Sequence, residues 1–236
     1  TASVNKLFTE TDAAWIETDN LTMEFLDDNS FLWASERDGH RHLYLYDANG
    51  KLKKQVSKGD WEIINYYGYN PKTKEAYIQT TEKGSINKVV SKLNINTGKT
   101  QLLSNAEGNN SAAFSKTFNY FINTSSTAKV PTSYVLKDAN GKDVKELQNN
   151  NDLLSKLKAD NFLNKEFISI PNTAGDQMNA WVIKPKDFDP AKKYPVFMFQ
   201  YSGPGSQQVS NSWDGGNGIW FDMLAQKGYI VVCVDG

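Results

Sequence analysis

One pattern recurs three times between residues 21 and 148, and it restricts the fold more than any other feature of the chain. An apolar strand, a polar turn, a second strand, a tight turn closed by glycine and a third strand follow one another in the same order. Phe31–Ser35, Ala76–Thr80 and Tyr120–Thr124 supply the first strand; His42–Tyr46, Val90–Asn94 and Ser133–Lys137 supply the second. The second strands run into Asp47-Ala48-Asn49-Gly50, Asn96-Thr97-Gly98 and Asp138-Ala139-Asn140-Gly141. Glycine there provides the positive φ that short hairpins demand. Gly50, Gly98 and Gly141 mark a period of roughly 40–50 residues, the length of a β-propeller blade of about four short strands. A lone blade buries neither face, so blades stack on their neighbours. Three are fewer than the four or so that close a ring, which predicts further blades upstream of Thr1.

After residue 150 the pattern changes. Asp152-Leu153-Leu154-Ser155-Lys156-Leu157 places leucines at helical spacing, with an aspartate near the start to suit the helix dipole. Phe167–Pro171 and Met178–Pro185 read as two strands joined by the polar turn Asn172–Gln177, and Asp187–Pro190 as a surface loop. Pro195–Tyr201 and Tyr229–Val234 are near-continuous apolar runs without alternation. Such runs predict strands buried on both faces, as in a parallel α/β sheet. Trp220–Gly228 lies between them and reads as a crossover helix closed by Gly228. A sheet of so few strands would leave a parallel edge exposed, so this second region is also expected to be incomplete.

Composition removes several function classes. The 26 Lys+Arg against 27 Asp+Glu leave no basic excess for releasing counterions from nucleic acid or an anionic membrane. No apolar run approaches the length of a membrane-spanning helix, and Thr1-Ala2-Ser3-Val4-Asn5-Lys6 contains no apolar leader core. The single cysteine, Cys233, excludes an internal disulfide and sits in an apolar run, where it reads as a small core residue. His40 and His42 share a face of a strand, but two histidines without a third ligand read as hairpin residues, and neither metal nor cofactor is expected. Trp33, Trp61, Trp181 and Trp220 read as core or inter-blade packing.

A hydrolase of this layout needs a G-x-S-x-G elbow between a strand and a helix. The chain contains none, and no histidine follows His42. Gly203-Pro204-Gly205-Ser206-Gln207 comes nearest, with the wrong spacing. A Ser-His-Asp triad within these residues is therefore impossible. A tyrosine such as Tyr201, at a strand end, reads by itself as a residue whose hydroxyl caps a loop. Asp235, closing a buried strand, needs partners and is expected to order the loop that follows it rather than to do chemistry.

The segment Gln200-Tyr201-Ser202-Gly203-Pro204-Gly205-Ser206-Gln207 resembles the Y-[AGS]-G-P-x-[SA]-Q segment of the prolyl oligopeptidase family of serine peptidases. Lys193-Tyr194-Pro195, Val234-Asp235-Gly236, Gly39-His40-Arg41-His42-Leu43 and Lys58-Gly59-Asp60-Trp61-Glu62-Ile63 resemble its dipeptidyl peptidase IV branch. The resemblance implies a mainly β fold: a partial β-propeller of about three blades over residues 1–150, a helical linker over 151–166, and the N-terminal part of an incomplete α/β-hydrolase domain over 167–236. It implies a parent exopeptidase that releases N-terminal X-Pro or X-Ala dipeptides through an acyl-enzyme. Tyr201 matches the family's oxyanion-hole tyrosine. The triad is then expected beyond Gly236, and the glutamates that bind the substrate amino terminus before Thr1, so the 236 residues alone should be inactive. Relatives are periplasmic, secreted or membrane-anchored ectodomains and often homodimers. The competing readings are a non-catalytic propeller module that binds protein or glycan, and a relative of altered chemistry, such as an acyl-peptide-releasing or catalytically dead hydrolase.

Overall fold

The computed structural model describes residues 4–17, 22–201, 203 and 205–235. Ser202, Pro204 and Gly236 of the motifs above lie outside the described residues, as do Thr1–Ser3 of the N-terminal hexapeptide and Leu21 at the start of the repeat. The fold is mainly β, and each repeat is a four-stranded sheet. β1 (Met23–Phe25), β2 (Phe31–Ser35), β3 (His42–Tyr46) and β4 (Leu52–Gln55) pair in chain order. So do β5 (Ile63–Asn70), β6 (Glu75–Thr80), β7 (Val89–Asn94) and β8 (Thr100–Leu102). The third set is β9 (Asn109–Phe114), β10 (Tyr120–Thr127), β11 (Val130–Asp138) and β12 (Asp143–Gln148). The leading strands β1, β5 and β9 are absent from the sequence pattern for a physical reason. β1 has three residues, β5 carries Gly68 and two register shifts, and β9 is built from Asn, Ser and Ala before Phe114, so none alternates cleanly.

By contacts the described residues within 1–106, 110–123 and 136–144 form one compact unit, and those within 107–109, 124–135 and 145–236 form a second. The first unit is held by sheets stacked face to face. Leu32 and Ala34 on β2, and Leu43 and Leu45 on β3, alternate inward and pack against Ala76 and Ile78 on β6 and Leu93 on β7. Tyr77 points the other way and packs with Val90, Leu103 and Phe121, framed by Phe114 and Phe118. The middle sheet is thus buried on both faces, and each fully buried Leu or Ile contributes about 1.5–3 kcal/mol. Phe8 covers the outer face of the first sheet by stacking on Tyr46, with ring centroids 4.7 Å apart.

Register is fixed at the end of the first two repeats by a serine that gives no sequence signal. Val56 N–H donates to the Leu43 carbonyl (2.7 Å), and the next residue, Ser57, accepts from Leu43 N–H through Oγ (3.1 Å). Leu103 and Ser104 repeat the arrangement on Val90, at 2.8 and 2.9 Å. The hairpin glycines serve the same junction. Gly98 (φ 71°) and Gly141 (φ 82°) have left-handed backbones, and a Cβ on either would stand 2.9 Å from the Val56 carbonyl oxygen or 2.6 Å from that of Leu103. Each glycine therefore answers two demands, a turn and a close approach to the preceding sheet.

In the second unit α1 (Asn151–Ala159) is followed by β13 (Glu166–Pro171), β14 (Gln177–Ile183), β15 (Val196–Phe199), α2 (Gly216–Gln226) and β16 (Ile230–Val234). The sheet order is β13-β14-β16-β15; β14 pairs antiparallel with β13 and β16, and β16 pairs parallel with β15. α2 is the crossover, ended by Gly228 at φ 90°. One face of the sheet is covered: Phe221 of α2 packs on Trp181 (5.3 Å between centroids) and Phe199 (5.4 Å).

Burial on both faces, predicted for the two apolar runs, is not found. β16 alternates, with Val231 and Cys233 sealed and Ile230, Val232 and Val234 half-buried. β15 exposes Val196 and Met198 (60 and 55 %). Among the described residues β15 is an edge strand paired only with β16, and α2 covers only the face that carries Phe199 and Cys233. Trp220, expected in the core, is half exposed because helical spacing sets it away from the face of α2 that buries Gly218, Phe221, Asp222 and Ala225. Gly141→Ala combines a strained φ with a backbone clash and should cost roughly 2–4 kcal/mol, read as a lowered denaturant midpoint. Gly39→Ala, with φ 95° and nothing within 4 Å, should cost distinctly less; equal losses would contradict the close-approach account.

Candidate functional site

Parallel pairing decides where the chemically interesting residues lie. The β15–β16 ladder ends at Phe199 opposite Cys233, so Tyr201 and Asp235 each stand two residues beyond it, at the same end of the sheet. The carboxyl ends of parallel strands are where open α/β sheets place their ligand sites. Tyr201 is 63 % exposed, so its ring is not sealed in packing and its phenol is open to an incoming group. A phenol on a rigid strand tip is suited to donating a hydrogen bond to an oxygen that gains negative charge.

The turn after Tyr201 is built on backbone. Ser206 N–H donates to the Gly203 carbonyl at 3.0 Å, and Gly205 takes φ 69°. Gly203 lies under the phenol: a Cβ there would sit 3.2 Å from Tyr201 Cε1 and 3.3 Å from its hydroxyl oxygen. The returning segment of the turn meets Asp235. Gln208 N–H donates to Oδ1 at 2.7 Å, and Val209 N–H reaches Oδ1 and Oδ2 at 3.1 and 3.0 Å. Asp235 therefore orders a loop, but the one it holds is the preceding loop that bears Tyr201 and not, as expected, the one that follows it, because the donors that face its carboxylate are Gln208 and Val209 N–H.

Cys233 is fully buried beneath this end of the sheet, and burial, reinforced by the Asp235 charge, pushes its thiol up to about 11. It is a packed core residue with no thiolate to offer. Behind it, Lys165 and Asp214 form a largely buried ion pair, with the Lys165 ammonium 5.0 Å from the Trp181 ring. No spacing in the sequence links these residues. A cavity of about 870 Å³ opens elsewhere in the second unit, between Lys129, Phe162, Lys165, Lys186 and Asn211; Tyr201 does not line it.

The histidines serve the repeat. His42 is fully buried and both its nitrogens are engaged, Nδ1 with Ser57 Oγ and Nε2 with the Gly59 carbonyl, each at 3.0 Å. Ser57 Oγ already accepts Leu43 N–H, so its hydroxyl hydrogen is free to point at Nδ1, which fits an imidazole with Nε2–H donating to Gly59. The ring meets Trp61 edge-on at 4.8 Å. The Gly39–Leu43 and Lys58–Ile63 motifs thus converge in one packing cluster.

Residues 1–132 match the family described as dipeptidyl peptidase IV (DPP IV) N-terminal region. The chain is 31 % identical over 208 residues to dipeptidyl peptidase 4 of Trichophyton equinum, covering 85 % of this chain and 27 % of that protein. It is 33 % identical over 183 residues to dipeptidyl peptidase 4 of Arthroderma otae, covering 76 % of this chain and 24 % of that protein. The crystal structure of Porphyromonas gingivalis dipeptidyl peptidase 4 superposes with a TM-score of 0.83 at 38 % identity, over 91 % of this chain and 30 % of that one. The chain spans about a quarter of the length of the curated relatives it matches.

The burial of Cys233 has a direct chemical consequence. In the folded chain its thiol should resist an aromatic disulfide reagent at pH 8, and denaturant should release one reactive thiol. Rapid labelling of the folded protein would contradict the packed position.

Proposed function

Because the chain belongs to the dipeptidyl peptidase IV family, we propose that its parent is a serine exopeptidase that removes dipeptides from peptide N-termini after proline or alanine, and that Tyr201 serves its oxyanion hole. In this reading residues 1–150 are the closing blades of a propeller, 151–166 a helical linker and 167–236 the opening of an α/β-hydrolase domain. The observation that carries the catalytic assignment is the open phenol of Tyr201 at the C-terminal tip of a parallel strand. The β15–α2–β16 crossover also supports a hydrolase over a binding propeller, which has no use for a parallel βαβ unit.

The chemistry follows from charge. A serine Oγ, relieved of its proton by a histidine, attacks the carbonyl of the substrate's second residue, and the carbonyl oxygen becomes an oxyanion. Tyr201 O–H donates to that oxygen, beside a backbone N–H next to the nucleophile. Collapse expels the shortened peptide as an amine that takes the proton from histidine, leaving an acyl-enzyme for water to hydrolyse. The donor acts most strongly where the charge develops, so it stabilises the transition state more than the bound substrate. The chain has no G-x-S-x-G elbow, so in this reading the serine comes from the rest of the parent.

Tyr201→Phe in the full-length parent should lower kcat on a Gly-Pro chromogenic amide by about 10²–10³-fold with little change in KM; an unaltered kcat removes Tyr201 from the oxyanion hole. The 236-residue chain by itself should give no hydrolysis of the same amide, and measurable turnover in a pure sample would contradict the need for an external nucleophile.

A further inference from the structure

We propose that Asp235 is a positioning residue for this reaction: its carboxylate clamps the turn that carries the Tyr201 phenol, and Gly203 is the surface on which that ring rests. The inference builds on the oxyanion reading of Tyr201. Strand pairing alone does not hold the turn, since the ladder stops at Phe199 and Cys233. Beyond that point the polypeptide closes on itself through Ser206 N–H to the Gly203 carbonyl and through Gln208 Nε2 to Ser206 Oγ (3.1 Å).

The clamp comes next. Two successive backbone N–H groups, Gln208 and Val209, converge on one carboxylate, with three contacts between 2.7 and 3.1 Å. Hydrogen bonds to an ionised acceptor are shorter and stronger than neutral ones. Asp235 is itself tied down, because its N–H donates to the Asn179 carbonyl at 2.9 Å and extends the β14–β16 pairing by one step. Val209 is fully buried, so the clamped position cannot swing into solvent without uncovering it. The rigidity of three paired strands thereby passes to a turn that has no strand partner of its own.

Gly203 sets the direction of the ring. With a Cβ at 3.2–3.3 Å from Cε1 and the hydroxyl oxygen, an alanine there would displace the phenol by a few tenths of an ångström. Displacing a positioned catalytic group by about 1 Å can cost roughly 10²-fold in rate. The clamp and the glycine thus control the same coordinate, one through the turn and the other through the ring.

The test uses the full-length parent, with kcat and KM on the Gly-Pro amide and amide hydrogen exchange over residues 203–209. Asp235→Ala should lower kcat by about 10-fold or more with KM nearly constant, and should add no further loss in a Tyr201→Phe background. Asp235→Asn keeps one acceptor oxygen and should recover part of the loss. Independent, multiplicative losses in the double variant, or wild-type kcat in Asp235→Ala, would overturn the proposal. Exchange at Gln208 and Val209 should accelerate in Asp235→Ala, and unchanged exchange overturns the clamp whatever Tyr201 does. Wild-type kcat in Tyr201→Phe overturns the oxyanion reading and the catalytic part of this inference together; accelerated exchange in Asp235→Ala distinguishes that result from failure of the clamp. Should Asp235→Ala not fold, Gly203→Ala decides: a lower kcat with unchanged exchange at Val209 supports the geometry, and wild-type kcat overturns it.

Discussion

The parallel pairing of β15 with β16 is the constraint on which the site depends. Parallel neighbours end at the same edge of a sheet, so the residues that follow Phe199 and Cys233 must meet there. An antiparallel arrangement would send Tyr201 and Asp235 to opposite edges. The crossover helix α2 enforces the parallel choice, because a strand that returns in the same direction needs a connection long enough to run back along the sheet. Phe221 then binds that helix to Trp181 and Phe199, fixing the covered face. Tyrosine, carboxylate and buried thiol are consequences of this register rather than separate features.

The first unit solves a different problem with the same economy. Each four-stranded sheet has two apolar faces, and the middle sheet hides both, Ala76 and Ile78 toward one neighbour and Tyr77 toward the other. Alternation along one strand therefore serves two cores. At each junction a serine after the last strand and a left-handed glycine let backbones approach closely, and His42 with Trp61 closes the junction that follows the first sheet.

What the sequence made legible follows physical periodicity. Strands β2, β3, β6, β7, β10 and β11 could be read because alternation and the closing glycines agreed, and α2 because an apolar segment ended in glycine. β1, β5 and β9 were not legible, since short, bulged or small-residue strands leave little alternation. The burial of β15 was overestimated because an apolar run reports composition and not which neighbours are present. At the site, Tyr201 could be singled out from the Tyr-Ser-Gly-Pro segment, and a loop-ordering role for Asp235 from the need of a strand-end carboxylate for donors, although which loop it orders could not be read. The donors themselves, the N–H groups of Gln208 and Val209, carry no side-chain signal, and neither does the pairing of Lys165 with Asp214.

In the proposed mechanism a tyrosine phenol, held by a turn that a carboxylate clamps, meets charge on a peptide carbonyl oxygen; membership of the dipeptidyl peptidase IV family and the open phenol at the strand tip support it. The most direct measurement is a crystal structure of the full-length parent carrying a tetrahedral boronate adduct on its serine. The account predicts the Tyr201 hydroxyl oxygen at about 2.7–3.1 Å from the boronate oxygen that occupies the oxyanion position, with Gln208 and Val209 N–H still on Asp235. A phenol turned away, with that oxygen bound only by other donors, would contradict it.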